Sequence, residues 1–377
     1  MNWPFAPLHS VCRPRQWPTI PKSKLTDKGY AVYGANGIIG YYSEYNHETP
    51  TLLITCRGAT CGSINVCDSK SYVTGNAMAL DDLDTSKVTL EFLGHYLKNF
   101  DFHGIITGVA QPQITAQSLK RLNVPLPPLA EQKRIAGILD TADALRTKRR
   151  EALAQLDQLL QSTFLDLFGD PVTNPKGWEK QALNEWLENI DSGWSPKCEQ
   201  RSVTDKEWGV LKLGAITWCV YDESENKALP AALSPRPKLE VKRGDILFAR
   251  KNTHELVAAA AYVYDTRPKL MLPDLIFRLR LKADCEVEKL FLWQLLIEPH
   301  QRSSIQKLAG GAAGSMPNIS KAKLKGVELI KPPLTLQQKF ARIVESVERQ
   351  KARHRAHLAE LDTLFASLQH RAFTGQL

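Results

Sequence analysis

In this 377-residue chain, the side chains best suited to chemistry are ones that make contacts rather than break bonds. Arg57 leads in the first half, with Asn36, Thr60 and Gln113 behind it. In the second half the comparable set is Arg250, Lys251, Asn252 and Asn318, with Lys212 as a phosphate partner. These residue types hydrogen-bond base edges and hold phosphate oxygens. Their setting is also similar. Residues 57–62 read as a turn between strand-like 51–55 and 63–66. Residues 250–254 read as a loop between strand-like 245–249 and a strand over 257–264. Ordinary turn chemistry or surface solvation is the alternative role for each.

Catalytic groups are missing or incomplete. Methyl transfer to a DNA base needs an Asp/Asn-Pro-Pro-aromatic loop, which neither Asp170-Pro171-Val172 nor Asn174-Pro175-Lys176 supplies. The phosphate-cradling G-x-x-x-x-G-K-[ST] is absent. Gly34-x-x-Gly37-x-x-Gly40 lacks dinucleotide spacing and reads as a turn and strand start. Glu240-Val241-Lys242, with Asp222 or Glu225 upstream, loosely matches the carboxylates and lysine of a metal nuclease. Gly244 follows at once, as in a hairpin. His354 and His357 share a helix face, but no third zinc ligand is placed near them. The seven cysteines, at 12, 56, 61, 67, 198, 219 and 285, show no C-x-x-C pair. An odd count without that spacing reads as free thiols in a reducing cytosol.

The elements that must position these loops come from an internal repeat. Residues 127–168 align with 332–373 without a gap, at a constant offset of 205. Pro127-Pro128-Leu129 meets Pro332-Pro333-Leu334, Gln132 meets Gln337, and Leu153-Ala154-x-Leu156-Asp157 meets Leu358-Ala359-x-Leu361-Asp362. Upstream, Gln113-Ile114-Thr115 faces Asn318-Ile319-Ser320. Trp3-x4-Leu8-x2-Val11 opens the first module much as Trp178-x4-Leu183-x2-Trp186 opens the second. Within each repeat tail, apolar residues recur every three or four positions, which predicts one long amphipathic helix. The paired prolines mark the helix starts, and Gly169 and Gly375 the stops. About 38 residues give a rod of roughly 57 Å. Two such stripes bury most simply against each other, antiparallel. The polar stretches 146–151 and 351–356 interrupt them, as a solvated face or a docking surface. Two linked modules on a rigid spacer suit a bipartite duplex site, with helix length setting the half-site separation.

Composition is compatible with this plan. A hydrophobic share of 43% and a charged share of 24% are ordinary for globular domains, and the length suggests two to three of them. Net charge is +9, spread without a polybasic tail, which allows a polyanionic partner. The longest apolar run, 256–264, falls far short of the ~18 residues of a membrane span. Met1-Asn2-Trp3-Pro4 lacks the basic start and apolar stretch of a signal peptide.

The segment from Val124-Pro-Leu-Pro-Pro-Leu-Ala-Glu-Gln-Lys-Arg to Leu139 resembles the helix of type I restriction–modification specificity subunits. So do Tyr30-Ala-Val-Tyr-Gly-Ala-Asn-Gly-Ile-Ile-Gly-Tyr-Tyr42, Arg57-Gly58-Ala59 and Glu225-Asn-Lys-Ala-Leu-Pro230. The resemblance covers essentially the whole chain. It implies an α+β protein with two α/β target recognition domains, 1–123 and 170–330, built on mixed twisted sheets. Conserved spacer helices, 124–169 and 331–377, would join them in an antiparallel coiled coil with pseudo-twofold symmetry. It further implies a cytoplasmic, non-catalytic subunit that binds double-stranded DNA and assembles with two methyltransferase subunits and restriction/translocase subunits. The chain itself would need no cofactor; S-adenosylmethionine, ATP and magnesium would serve the partners. Leu336 and Gln338 replace Glu131 and Lys133 in the second repeat, a departure at the second partner contact. The alternatives are a stand-alone nuclease with duplicated DNA-binding modules and a coiled-coil interaction protein that binds no DNA.

Overall fold

Leu52, Leu53 and Ile54 make an unbroken apolar run, and the fold uses both faces of it. The structure is a computed structural model that describes residues 3–108, 111–310 and 316–377; Met1 and Asn2 of the opening segment lie outside them. The chain divides into two compact units, residues 1–152 with 354–377, and residues 153–353.

In the first unit, Thr51–Thr55 is an inner strand of a four-stranded antiparallel sheet. Its neighbours are Ala77–Asp81, which pairs onward with Arg13–Arg15, and the edge strand Ile64–Cys67. Leu52 and Ile54 join Met78, Leu80 and the helix Leu90–Asn99 in one core. Leu53 joins Ala77, Ala79, Tyr33 and Val73 in another. A strand buried on both faces has no polar face to show, hence the lack of alternation. A second, three-stranded sheet pairs Tyr30–Gly34 antiparallel with Gly37–Tyr42 and parallel with Tyr72–Val73. Gly37 (φ 117°) and Gly40 (φ 152°) take backbone conformations that side chains disfavour, so the glycine spacing serves this hairpin.

The second unit repeats the plan on a different sequence. Ile246–Ala249 lies between Ile276–Leu281 and Ala260–Tyr262, and Leu187–Ser192 completes the sheet. Ile246 and Phe248 pack into the larger core with the helix Lys289–Ile297, while Leu247 and Ala249 enter a second core. Gly209–Leu211 pairs antiparallel with Asn226–Ala228 and parallel with Leu270–Met271. The strand expected over 257–264 is shorter, Ala260–Tyr262. Ala258 has φ 62° and Val257 closes a helical turn on Thr253 O, so the preceding loop runs further than its apolar composition suggests. Arg278 is buried in this unit, donating to Asp191, Asp245, Glu240 O and Lys238 O. Burial alone would raise the Asp191 carboxyl, but the Arg280 and Arg278 guanidinium groups hold it below the usual carboxylate range.

Each module opens on a strand that pairs with the strand leading into its long helix. Phe5–Pro7 pairs with Asn123–Pro125, and Lys180–Ala182 with Glu328–Ile330. The bond from Leu8 N–H to Leu122 O recurs from Leu183 N–H to Val327 O. The two long helices, Leu129–Phe168 and Leu334–Phe373, have 40 residues each, about 60 Å long. Within the first unit, the start of the first helix (Ile135, Leu139) shares a core with the end of the second (Phe365, Leu368, Ala372). Within the second unit, Phe164 and Phe168 meet Phe340 at ring-centroid distances of 5.6 and 5.3 Å. The helices therefore run antiparallel in both.

Most residues of the polar interruptions are exposed, as expected of a solvated face, but Arg146, Arg149, Lys351 and His354 turn inward. In the first unit Arg146 bonds Asp143 at 2.7 Å and reaches across to Asp362 at 2.6 Å. In the second, Lys351 pairs with Glu348 and reaches across to Asp157 at 2.7 Å. Every member is related to its counterpart by the same 205-residue offset. Arg149 and His354, themselves 205 apart, meet at 3.2 Å. A repeated polar layer that is satisfied in only one register restricts how the helices pair.

A second repeated device ties helix to module. Gln132 is fully buried; its amide donates to Lys87 O and Pro127 O and accepts Thr89 N–H, all at 2.8 Å. Gln337, also fully buried, donates to Glu286 O at 3.2 Å and Pro332 O at 2.7 Å and accepts Glu288 N–H at 2.9 Å. Thr89 and Glu288 are the N-caps of the two module helices. Each glutamine thus fixes the start of a long helix against the helix of its own module.

Candidate nucleic-acid interface

The loop after each inner strand is held by the segment that returns toward the long helix. In the first module, Ile114 N–H donates to Cys56 O (2.9 Å), Arg57 is bridged to Gln113, and Gln113 exchanges two backbone bonds with Thr107. In the second, Ile319 N–H donates to Arg250 O (2.8 Å), Lys251 is bridged to Asn318, and Asn318 exchanges two bonds with Gly310. The backbone therefore makes Arg57 the counterpart of Lys251, and Gln113 the counterpart of Asn318. Arg250 corresponds to Cys56, a buried residue.

The side chains are correspondingly different. Arg57 is exposed on its turn, where Gly58 (φ 87°) and Gly62 (φ 94°) permit the tight path. Arg250 is half-buried, with its guanidinium 5.1 Å from the Phe277 ring centre and its Nε–H donating to Asn318 Oδ1 at 3.1 Å. Arg250 orients Asn318, while Lys251 occupies the position that Arg57 holds in the first module. Asn36 and Thr60 are brought together: the Thr60 hydroxyl donates to Asn36 Oδ1 at 2.6 Å, and Thr55 donates to Ala35 O beside it. The hairpin tip is thereby fastened to the Arg57 turn. Asn252 is buried, and its carbonyl accepts Thr253 N–H, so it builds its loop. Lys212 sits at the base of a different loop, 3.5 Å from Glu225.

The remaining reactive types are engaged in structure. Burial pushes the Cys56 thiol up to about 11, and burial also raises Cys61, so neither is a thiolate at neutral pH. Glu240 accepts Lys269 N–H, Glu223 accepts Arg267 N–H, and Asp222 accepts from Ser224. Among the described residues, no three His, Cys, Asp or Glu are grouped to hold a metal ion. No helix among them is long and apolar enough to cross a membrane.

Sequence reasoning missed the large apolar side chains that stand in solvent on the hairpins of the two three-stranded sheets. Ile38 and Ile39 are 51% and 48% exposed, and Trp218 is 77% exposed. It also missed the correspondence of Arg57 with Lys251. The only sequence signal for that was the match of Gln113 with Asn318, from which the bridging partners follow once the strands are known.

Two modules of one topology, each presenting a different polar loop and each continuing into a copy of the same helix, define a duplicated recognition scaffold. The chain belongs to the type I restriction modification DNA specificity domain family, whose model matches residues 1–156 and 175–363. It is 35% identical over 176 residues to the type I restriction enzyme EcoEI specificity subunit of Escherichia coli, covering 46% of this chain and 30% of that protein. It is 24% identical over 311 residues to the EcoKI specificity subunit of Escherichia coli (strain K12), covering 76% of this chain and 65% of that protein. The chain thus matches less than two thirds of the length of either relative. The crystal structure of a type I restriction–modification S subunit from M. genitalium superposes with a TM-score of 0.66 at 16% identity, over 99% of this chain and 96% of that one. That likeness establishes the fold.

Proposed function

We propose that the chain is the sequence-specific DNA-binding subunit of a type I restriction–modification complex, reads a bipartite duplex site, and recruits methyltransferase and restriction subunits. Residues 1–123 and 170–330 act as the two target recognition domains, and 124–169 and 331–377 as the spacer helices. The observation that carries this reading is the equivalence of the Arg57/Gln113 and Lys251/Asn318 pairs: one backbone frame, two sets of side chains. A duplicated frame with diverged tips fits two half-sites of different sequence. The chemistry of methyl transfer and of ATP-driven translocation belongs to the partner subunits, acting in the cytoplasm. Helix length sets the separation of the half-sites.

Binding should depend on those partners. A net charge of +9 over 377 residues neutralises few phosphates, and affinity from counterion release falls steeply with salt. In gel shifts on bipartite duplexes, the isolated chain should bind weakly and lose binding as salt rises. Addition of methyltransferase subunits should give tight, specific complexes. Nanomolar specific binding by the chain alone at physiological salt would overturn partner dependence.

Reader residues should act locally. Arg57→Ala and Lys251→Ala should each cost about 1–3 kcal/mol of binding, concentrated at one base position of one half-site. Competition with single-base-changed duplexes measures this. A loss spread evenly over all sequences would recast the residue as a phosphate contact.

A further inference from the structure

The three-stranded sheets of the two modules share one topology: a central strand pairs antiparallel with one neighbour and parallel with the other. Tyr30–Gly34 and Gly37–Tyr42 form the antiparallel hairpin of the first module; Gly209–Leu211 and Asn226–Ala228 form that of the second. Both hairpins end in exposed large apolar side chains. In the first these are Ile38 and Ile39, next to the two-residue turn Ala35-Asn36. In the second the connection is longer and carries Trp218 (77% exposed) and Val220 (42%).

Neither tip is loose. The first is fastened to the Arg57 turn through Thr60 and Thr55. In the second, Ala215 and Ile216 are buried in the core that holds Leu247 and Ala249, the strand leading to Arg250. Cys219 N–H donates to Ile216 O (3.0 Å) and Asp222 N–H to Ala215 O (2.9 Å). Cys219 itself takes φ 61°, a left-handed conformation that costs a non-glycine residue energy and turns the chain sharply beside Trp218. An indole held in water on an anchored loop is a large, positioned apolar face open to a planar partner.

We infer that the two hairpin tips are apolar wedges that contact DNA bases, Ile38 with Ile39 in one half-site and Trp218 in the other. The inference rests on the DNA-reading function proposed above. A partner protein present in identical copies would need like surfaces at both modules, whereas these tips differ in length and side chain. Two half-sites of different sequence fit that difference. The first tip is joined to the turn of the exposed Arg57 through Thr60 and Asn36, and Lys22, Lys24 and Lys28 lie exposed on a segment that pairs with the base of the same hairpin through Thr26 and Tyr41. At the second, Asp222 accepts from Ser224, Glu223 accepts the Arg267 backbone N–H and Glu225 lies 3.5 Å from the Lys212 ammonium, so the contact there rests on the indole and not on positive charge. Apolar side chains of this size meet thymine methyl groups, or insert between base steps and partly unstack them.

The test uses the full chain with its methyltransferase subunits. The probe is a duplex carrying the site read from methylated bases, with 2-aminopurine placed at successive positions. The wild-type complex should raise 2-aminopurine fluorescence at one step in each half-site. Trp218→Ala should abolish the rise in one half-site and weaken binding about tenfold or more. Ile38→Ala should act on the other half-site alone. Both positions are exposed, and unchanged thermal unfolding would confirm intact folds. Normal affinity and an unchanged fluorescence pattern in Trp218→Ala, with Lys251→Ala still impaired, would overturn the wedge and leave the reader loops standing. No sequence-specific binding by the wild-type complex would overturn the DNA-reading function, and the wedge with it.

Discussion

Exchanging residues 1–123 for the matching segment of another family member should change one half of the recognised site and leave the other half intact. Each module carries its own pair of sheets, its own inner strand and its own loop bridge. The Arg57–Gln113 and Lys251–Asn318 bridges lie in separate units, and neither needs a residue of the other. The exchange must keep the junction that the first module makes with its spacer helix. Gln132 must still find carbonyls and an amide where Lys87, Pro127 and Thr89 now supply them. A chimaera that meets this condition should direct the methyltransferase subunits to a hybrid site. If both half-sites changed together, the modules would not read independently.

The second large effect is expected at the glutamines. Gln132→Ala would strip partners from the buried Pro127 O and from the part-buried Lys87 O and Thr89 N–H; Gln337→Ala would do the same at Pro332 O, Glu286 O and Glu288 N–H. An orphaned buried backbone group costs about 1–3 kcal/mol and water can reach the two part-buried groups, so each variant should lose ~2–3 kcal/mol. Denaturant unfolding measures the total. Hydrogen exchange gives the local reading: the Thr89 amide should lose protection in Gln132→Ala, and the Glu288 amide in Gln337→Ala. Gln132→Glu should not rescue, because a carboxylate cannot donate to Lys87 O and Pro127 O. A loss below about 1 kcal/mol would show that the glutamine clasp does not hold helix to module.

Much of this was legible in the chain because duplication leaves a register. The 205-residue offset located both 40-residue helices and paired Gln132 with Gln337 before any contact was known. What the glutamines bond was not legible, since Lys87 and Glu286 lie in diverged stretches outside the aligned repeat. The same offset relates Arg146 to Lys351 and Asp362 to Asp157. Antiparallel packing implied that the two polar stretches lie near one another, but the unlike cations gave no sign of which residues pair across. The inner strands stood out because runs such as Leu52-Leu53-Ile54 are buried on both faces. The strand at 260–262 was overestimated because the apolar residues before it pack inside a loop. The site was the least legible part. Arg57 and Lys251 occupy one structural position, yet their loops differ in length and no gapless alignment joins them. Trp218 was visible as a residue but not as an exposed one, because exposure is decided by how Ile216 and Tyr221 anchor the loop around it.

The central claim is that this chain chooses which DNA sequence its complex modifies. Mapping methylated bases across the genome of cells with and without the chain, with the methyltransferase subunit present in both, tests it directly. The account predicts one bipartite motif, two short specific segments separated by a fixed non-specific spacer, methylated only where the chain is present. Identical methylation in both cells, or a single undivided motif, would contradict it.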